Sequence, residues 1–213
     1  EISDIARPYG VKIVEDASHA IGGTYSGYPV GSCKYSDIAV FSFHPVKIVT
    51  TGEGGVATTN DSKLAMQMQN ARSHGINKNL TPHEMNTYGQ WYYEMTQLGF
   101  NYRMTDIEAA LGISQLKRLT EFVNKRNILA EKYSELLDTE HLMLPKILEG
   151  TRSAFHLYIV RLVDKMRRLE VFNFLRENGV GVNVHYIPVH LHPYYKKLGF
   201  ADGDFPFAED YYS

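Results

Sequence analysis

Lys47 lies in the stretch FSFHPVKIVTTGEGG (41–55), where an apolar run gives way to a loop with a threonine pair and three glycines. A lysine in such a place reads as a solvated surface charge, a phosphate clamp or a nucleophile. At the end of a strand, inside a glycine-rich turn, a lysine amine can be partly desolvated. Only the neutral amine attacks a carbonyl, so such a lysine is a Schiff-base candidate. The glycines let backbone approach a planar ring or a phosphate closely. A phosphate-binding P-loop does not fit, because the spacing G-x-x-x-x-G-K-[ST] is absent. Asp16 adds the second group. A carboxylate ending one buried strand, with a lysine ending another about thirty positions later, is the pair that pyridoxal phosphate chemistry requires. The carboxylate keeps the pyridine nitrogen protonated so that the ring is an electron sink, and the lysine carries the aldehyde.

These groups need strands to hold them. VKIVEDAS (11–18) is a short β-branched run ending in two carboxylates, read as a buried parallel strand. GGTYSGYPVGS (22–32) reads as a small hairpin, and DIAVFSFH (37–44) and GGVATTN (54–60) as further apolar runs. The runs 11–15 and 37–43 are expected in one sheet, with Asp16 and Lys47 near the same edge. DSKLAMQMQNARSHG (61–75) predicts a helix with Asp61 as N-cap and Gly75 as C-cap. Residues 76–100 are polar and aromatic without a regular period and predict a long loop. Trp91, Tyr92 and Tyr93 within it read equally as packing, dimer contact or substrate stacking. Residues 104–137 are helical, opening on a Thr105–Glu108 capping box and bending near Leu119–Thr120. FHLYIVRL (155–162) predicts a strand, RRLEVFNFLRENG (167–179) a helix and VGVNVHYIPV (180–189) an extended segment. This order predicts an α/β layer over 1–118, then a linking helix and a small α+β domain over 119–213.

The chain has 213 residues, 44% of them hydrophobic and 22% charged, an ordinary balance for a globular protein. A net charge of −2 provides no basic field for nucleic acid or an anionic membrane surface. The single cysteine, Cys33, has no internal disulfide partner and fits a reducing, cytoplasmic setting. No apolar stretch approaches the roughly 20 residues that span a bilayer. The opening EISDIARPYG lacks Met and reads as the end of a helix before a Pro-x-Gly breaker, and FPFAEDYYS reads as a helix just begun. The expectation is an internal piece of a longer protein, with apolar surface exposed and little or no activity alone.

VEDASHAIGGTYSGYPVGS, FSFHPVKIVTTGEGGVATTND, RSHGI, LGFNYRMTDIEAALGISQLKRL and VHYIPVHLHPYY follow one another over nearly the whole chain. In this order they resemble the DegT/DnrJ/EryC1/StrS family of sugar-nucleotide aminotransferases. The resemblance implies an α/β fold, part of the large cofactor-binding domain of a fold-type I pyridoxal phosphate transferase, followed by a small, truncated α+β C-terminal domain. It implies transfer of an amino group from L-glutamate to a keto nucleotide sugar. FSFHPVK with QWYYEMTQLGFNYRMTDIEAALGISQLKRL is most similar to members that act on UDP-4-keto-6-deoxy-N-acetylhexosamine in pseudaminic acid biosynthesis. The alternatives are a different 3- or 4-keto nucleotide sugar, or a non-catalytic sugar-binding or regulatory homologue. Relatives with histidine in place of the lysine are dehydratases, so Lys47 implies transamination.

On this resemblance Lys47 bonds to pyridoxal 5'-phosphate and shuttles the proton between the amino donor and the cofactor. Asp16 pairs with the pyridinium nitrogen, His19 lies near the phenolic oxygen, and Ser42 donates to the phosphate. Asn101 reaches the phosphate of the neighbouring subunit, making active sites shared across a homodimer. His190 and Tyr194 lie near the nucleotide sugar, and Arg103 is structural or at the dimer interface. The histidines at 185, 190 and 192 also invite a metal-dependent hydrolase reading. No Cys or carboxylate close in sequence completes a set, so no metal is assigned.

Overall fold

The computed structural model describes residues 1–77 and 81–213. In chain order its elements are α1 (Ile2–Ala6), β1 (Val14–Asp16), β2 (Thr24–Tyr25), β3 (Tyr28–Pro29), β4 (Ile38–Ser42), β5 (Gly55–Thr58) and α2 (Ser62–Arg72). Then come β6 (Ile76–Asn77), α3 (Pro82–Tyr88), β7 (Glu94–Met95), α4 (Asp106–Leu116), α5 (Leu119–Leu136), β8 (Leu142–Met143), β9 (Thr151–Arg152) and β10 (Arg161–Leu162). The chain closes with α6 (Arg168–Glu177), α7 (Pro193–Lys196) and α8 (Pro206–Tyr212). Two compact units form, residues 1–136 with 146–158, and residues 137–145 with 159–213.

In the first unit β1, β4 and β5 make one sheet with β4 in the middle. β1 runs parallel to β4, placing Asp16 opposite Val40, and β5 runs antiparallel, placing Gly55 opposite Ser42. A parallel pair needs a long crossover. Residues 17–37 supply it and contain the expected hairpin of β2 and β3, which β9 extends by pairing Thr24 with Arg152. β4 turns alternate side chains inward, so Ala39 and Phe41 are buried while Val40 is exposed. Ala39 and Phe41 join Ala17, Phe43, Ile48, Val49, Val123 and Ala154 in the core. Val123 belongs to α5 and is 1% exposed, so this helix is anchored in the first unit. The grouping therefore differs from the boundary expected at 118/119 and falls after Leu136.

The helix signals carry over closely. Asp61 accepts hydrogen bonds from the backbone N–H of Lys63 and Leu64 and caps α2. Thr105 and Glu108 form the reciprocal capping box of α4. The expected bend comes just earlier, between Leu116 and Leu119. α2 ends at Arg72, short of Gly75, because Phe100 N and Tyr102 N donate to the carbonyls of Ala71 and Arg72. His74 and Gly75 then turn left-handed, and a Cβ on Gly75 would sit 1.8 Å from the Gln97 carbonyl oxygen. That close approach lets β6 pair with β7. Residues 76–100 are thus more than a loop; residues 78–80 of that stretch lie outside the described residues. Two-residue strands are too short to show a period.

In the second unit β10 pairs antiparallel with β8, and α6, α7 and α8 follow. The strand expected over 155–162 reduces to Arg161–Leu162, and Phe155, at its expected start, adopts φ +44°. Residues 180–188 form no ladder among the described residues, and Val189–Leu191 close into a 3-10 turn. The strand–helix–strand reading is therefore only half met. Apolar exposure is extensive, as expected: Leu98 is 87% exposed and Ile107 85%. No helix among the described residues is long and apolar enough to cross a membrane.

Gly112 is buried inside α4, where glycine costs about 1 kcal/mol relative to alanine. A Cβ there would lie 2.8 Å from the Thr51 methyl group, and Thr51 is itself buried. The glycine lets α4 press on the loop that carries Lys47. Gly112→Ala is expected to lower the urea midpoint of unfolding, because overpacking costs about 1–3 kcal/mol against a helix-propensity gain of about 1 kcal/mol. A raised midpoint contradicts the packing argument.

Candidate active site

The loop from 43 to 54 joins β4 to β5 and is closed through the peptide groups of Phe43. Phe43 N donates to Gly54 O (2.8 Å), and Phe43 O accepts from Thr51 N and from Thr50 Oγ1, each at 3.0 Å. Thr51 Oγ1 donates to Glu53 O, and Gly52 N to Thr50 Oγ1. Ser42, at the end of β4, accepts from His44 N at 3.4 Å. Lys47 N donates to His44 O at 2.9 Å across the turn at Pro45 and Val46. Ile48 and Val49 then enter the core, 5% and 0% exposed. Lys47 is half-buried on a loop with core side chains on both flanks.

β1 is not the buried strand that its β-branched run predicts: Val14 is 62% exposed, and Asp16, which ends the strand, is exposed too. Its Oδ1 accepts from Ser18 Oγ (2.5 Å) and Ser18 N (3.1 Å). These bonds hold the carboxyl below the usual carboxylate range, and the charges of His19 and Lys47 act in the same direction. Lys47 is therefore near enough for its charge to be felt at Asp16. The parallel register places Asp16 and Ser42 at the same, carboxyl, end of β1 and β4. His19 sits on the turn just after β1, with its ring centroid 4.3 Å from that of His156 at an interplanar angle of 52°.

The carboxyl edge of the sheet thus carries Asp16 and Ser42, with His19 on the turn after the first and Lys47 on the loop after the second. Asn101 lies elsewhere in the same unit, in an exposed extended segment bridged to Ser73. Phe100 and Tyr102 stack on one side of that segment (4.8 Å), which sends Asn101 to the other. His190 and Tyr194 belong to the second unit. His190 is buried, shares a 2.8 Å hydrogen bond between Nε2 and Glu209 Oε1, and packs on Phe205. Tyr194 is 68% exposed at the start of α7. Among the described residues the group of side chains that could share a metal ion is Asp138, Glu140 and His141, all exposed, rather than the histidines at 185, 190 and 192.

Of three partners in these contacts, two escape sequence reasoning. Glu209 meets His190 from 19 positions on, and His156 meets His19 from a different part of the chain. Ser18 is the exception with a local signal, since Asp-x-Ser is a familiar side-chain-to-backbone turn pattern. Two clefts lie apart from the cluster. One, of about 350 Å³ in the second unit, is lined by His185, Tyr186, Pro188 and Tyr211 among others. The other, of about 310 Å³, is lined by Arg7, Lys12, Cys33 and Asp37 at the amino end of β1 and β4.

A carboxylate held below its usual pKa and a lysine near the carboxyl edge of an α/β sheet are residue types that can hold pyridoxal phosphate. The chain belongs to the DegT/DnrJ/EryC1/StrS aminotransferase family, whose sequence profile matches residues 1–213. It is 39% identical over 201 residues to the UDP-4-amino-4,6-dideoxy-N-acetyl-β-L-altrosamine transaminase of Campylobacter jejuni serotype O:23/36, covering 93% of this chain and 50% of that protein. The putative sugar aminotransferase Spr1654 of Streptococcus pneumoniae, in its pyridoxal phosphate form, superposes with a TM-score of 0.85 at 31% identity, over 98% of this chain and 53% of that one. Helicobacter pylori PseC, an aminotransferase of pseudaminic acid biosynthesis, gives a TM-score of 0.86 at 30% identity, over 99% and 54%. The family is pyridoxal phosphate-dependent. The chain spans about half the length of the relatives it matches.

Ser18 makes a pH prediction. Because the folded pKa of Asp16 is lowered, its contribution to stability is present above the ordinary aspartate value of about 3.9 and is lost as pH falls through the folded value. Ser18→Ala is expected to move the Asp16 carboxyl titration, followed by 13C NMR, upward toward that ordinary value. An unmoved titration would mean that other groups set the charge of Asp16.

Proposed function

We propose that this chain supplies the lysine and the ring-binding carboxylate of a pyridoxal phosphate-dependent aminotransferase. Its substrates on this reading are L-glutamate and a 4-keto-6-deoxy nucleotide sugar, UDP-4-keto-6-deoxy-N-acetylhexosamine, in a pseudaminic acid-type pathway. The observation that carries the reading is the parallel register of β1 and β4, which puts Asp16 and the Ser42 end of the Lys47 loop at one edge of the β1–β4–β5 sheet. The choice of sugar is supported by the Campylobacter and Helicobacter relatives. The first unit is then part of a large cofactor-binding domain and the second a small C-terminal domain.

When bound, the cofactor supplies an electron sink for the carbon that bears the amino group. Asp16, whose carboxyl the Ser18 hydrogen bonds hold below the usual carboxylate range, would keep the pyridine nitrogen protonated. Lys47 would hold the cofactor through its Nζ, and its free amine would move the proton at the donor Cα. Ser42, at the end of β4, would donate its hydroxyl to the cofactor phosphate. His19, on the turn after Asp16, would lie beside the ring. Tyr194 offers an exposed ring to the nucleotide sugar, and the buried His190 holds the turn that precedes it. A second copy of the protein completes the site, since Asn101 is exposed beside Leu98, Phe100 and Tyr102, which a partner would cover.

The test is to supply the full-length protein with L-glutamate and a panel of UDP- and dTDP-keto sugars, and to identify products by mass spectrometry and NMR. A 4-amino-UDP-sugar is expected from the wild type and none from Lys47→Ala. Transfer to a different keto sugar would change the substrate, and unchanged activity in Lys47→Ala would leave only a non-catalytic role for the site.

Asn101→Ala is expected to weaken cofactor affinity about tenfold, since a hydrogen bond to a charged group contributes about 1.5–3 kcal/mol and 1.4 kcal/mol is one decade. Mixing it with Lys47→Ala subunits should restore part of the activity, because one shared site in the mixed dimer is intact. No recovery despite confirmed subunit exchange would mean that Asn101 serves its own subunit.

A further inference from the structure

We propose that His156 is a positioning residue, delivered by a strained backbone and an arginine clamp to hold the ring of His19 in one orientation beside Asp16. The proposal deepens the reading of Asp16 and Lys47 as a cofactor site and rests on it. His19 is exposed on the turn after β1, and its charge is felt at the Asp16 carboxylate. Fixing an exposed side chain in one rotamer costs conformational entropy, so a ring that must face a ligand needs a neighbour to hold it. The imidazole of His156 lies 4.3 Å away, centroid to centroid, tilted by 52°.

The place of His156 is built with care. Phe155 adopts φ +44°, a left-handed conformation that costs a bulky residue about 1–2 kcal/mol. Such strain persists only where the surroundings over-determine it. Here Arg126 Nη1, from α5, donates to Phe155 O (2.9 Å) and to His156 O (3.3 Å). Phe155 N donates to Ser153 Oγ (3.0 Å), while Asn127 Nδ2 donates to Ser153 O (3.1 Å). Ala154, between them, is 2% exposed in the core. A segment that merely covered α5 would need neither the left-handed phenylalanine nor a half-buried imidazole, and an apolar side chain would cost less to bury. The arrangement is accounted for by what it places against His19.

The experiment uses the full-length protein with His156→Ala and His156→Phe, the latter keeping a ring. Folding is checked by circular dichroism. The His19 ring resonances are followed by NMR in histidine-labelled apoprotein, assigned through His19→Gln, and pyridoxal phosphate affinity is measured by fluorescence titration. His156→Ala is expected to move the His19 resonances and to weaken cofactor binding about three- to tenfold, the range of an aromatic pair contact, whereas His156→Phe stays within about twofold of wild type. Unmoved His19 resonances in His156→Ala overturn the proposal, as does a loss in His156→Phe equal to that in His156→Ala. A wild type that binds no pyridoxal phosphate sinks the cofactor reading instead, while the resonances still decide whether His156 holds His19. If His156→Ala does not fold, Arg126→Gln removes the clamp and keeps the imidazole. It is expected to move the same resonances, and their constancy overturns the proposal.

Discussion

The burial of Ile48 and Val49 directly after Lys47 is the constraint on which the chemistry depends. Ordering a lysine side chain costs up to about 2 kcal/mol of rotamer entropy. Fully burying an isoleucine or a valine returns about 1.5–3 kcal/mol each. The two neighbours therefore outweigh the cost of presenting Lys47 from a fixed crest. Phe43 closes the other flank, with its side chain in the core and its peptide groups bonded to Gly54, Thr51 and Thr50. Gly112 lets α4 press on Thr51 from outside. A twelve-residue connection between antiparallel strands would otherwise be free to wander.

Charge at the site is prepared in the same local way. Hydrogen bonds from Ser18 are the larger influence on Asp16, and the charges of His19 and Lys47 are smaller ones. Exposed charges are screened by water, so two short bonds hold an anion more dependably than a cation across solvent. The second unit uses similar groups for a different purpose. There Glu209 accepts from His190 and from Gly203 N, and those bonds hold its carboxyl below the usual range. His190 is buried and Glu209 half-buried, and together they organise the turn before Tyr194, whereas Asp16 is exposed at the end of β1.

Much of this was legible in the sequence because its signals are local. The β-branched run ending at Asp16, the alternation from Ile38 to Ser42, Asp61 as a cap and the Thr105–Glu108 box each depend on a few adjacent residues. The parallel β1–β4 pairing agrees with the short β-branched run read over 11–18. What stayed hidden depends on distant contacts. The grouping of α5 with the first unit is decided by Val123 meeting the core. Phe155 sits in a run rich in strand formers, and only Arg126, Asn127 and Ser153 make its left-handed turn worthwhile. The β6–β7 pair depends on a glycine against a carbonyl, which no periodicity records.

The central claim is that Lys47, and no other lysine, is the residue that the fold holds ready for a carbonyl. It is tested most directly by incubating the full-length protein with pyridoxal phosphate, reducing with borohydride and mapping the modified peptide by mass spectrometry. The account predicts one pyridoxyl group per chain, on the peptide containing Lys47, with loss of the label in Lys47→Ala. A label confined to a different lysine, or a protein that takes up none while folded, would contradict it.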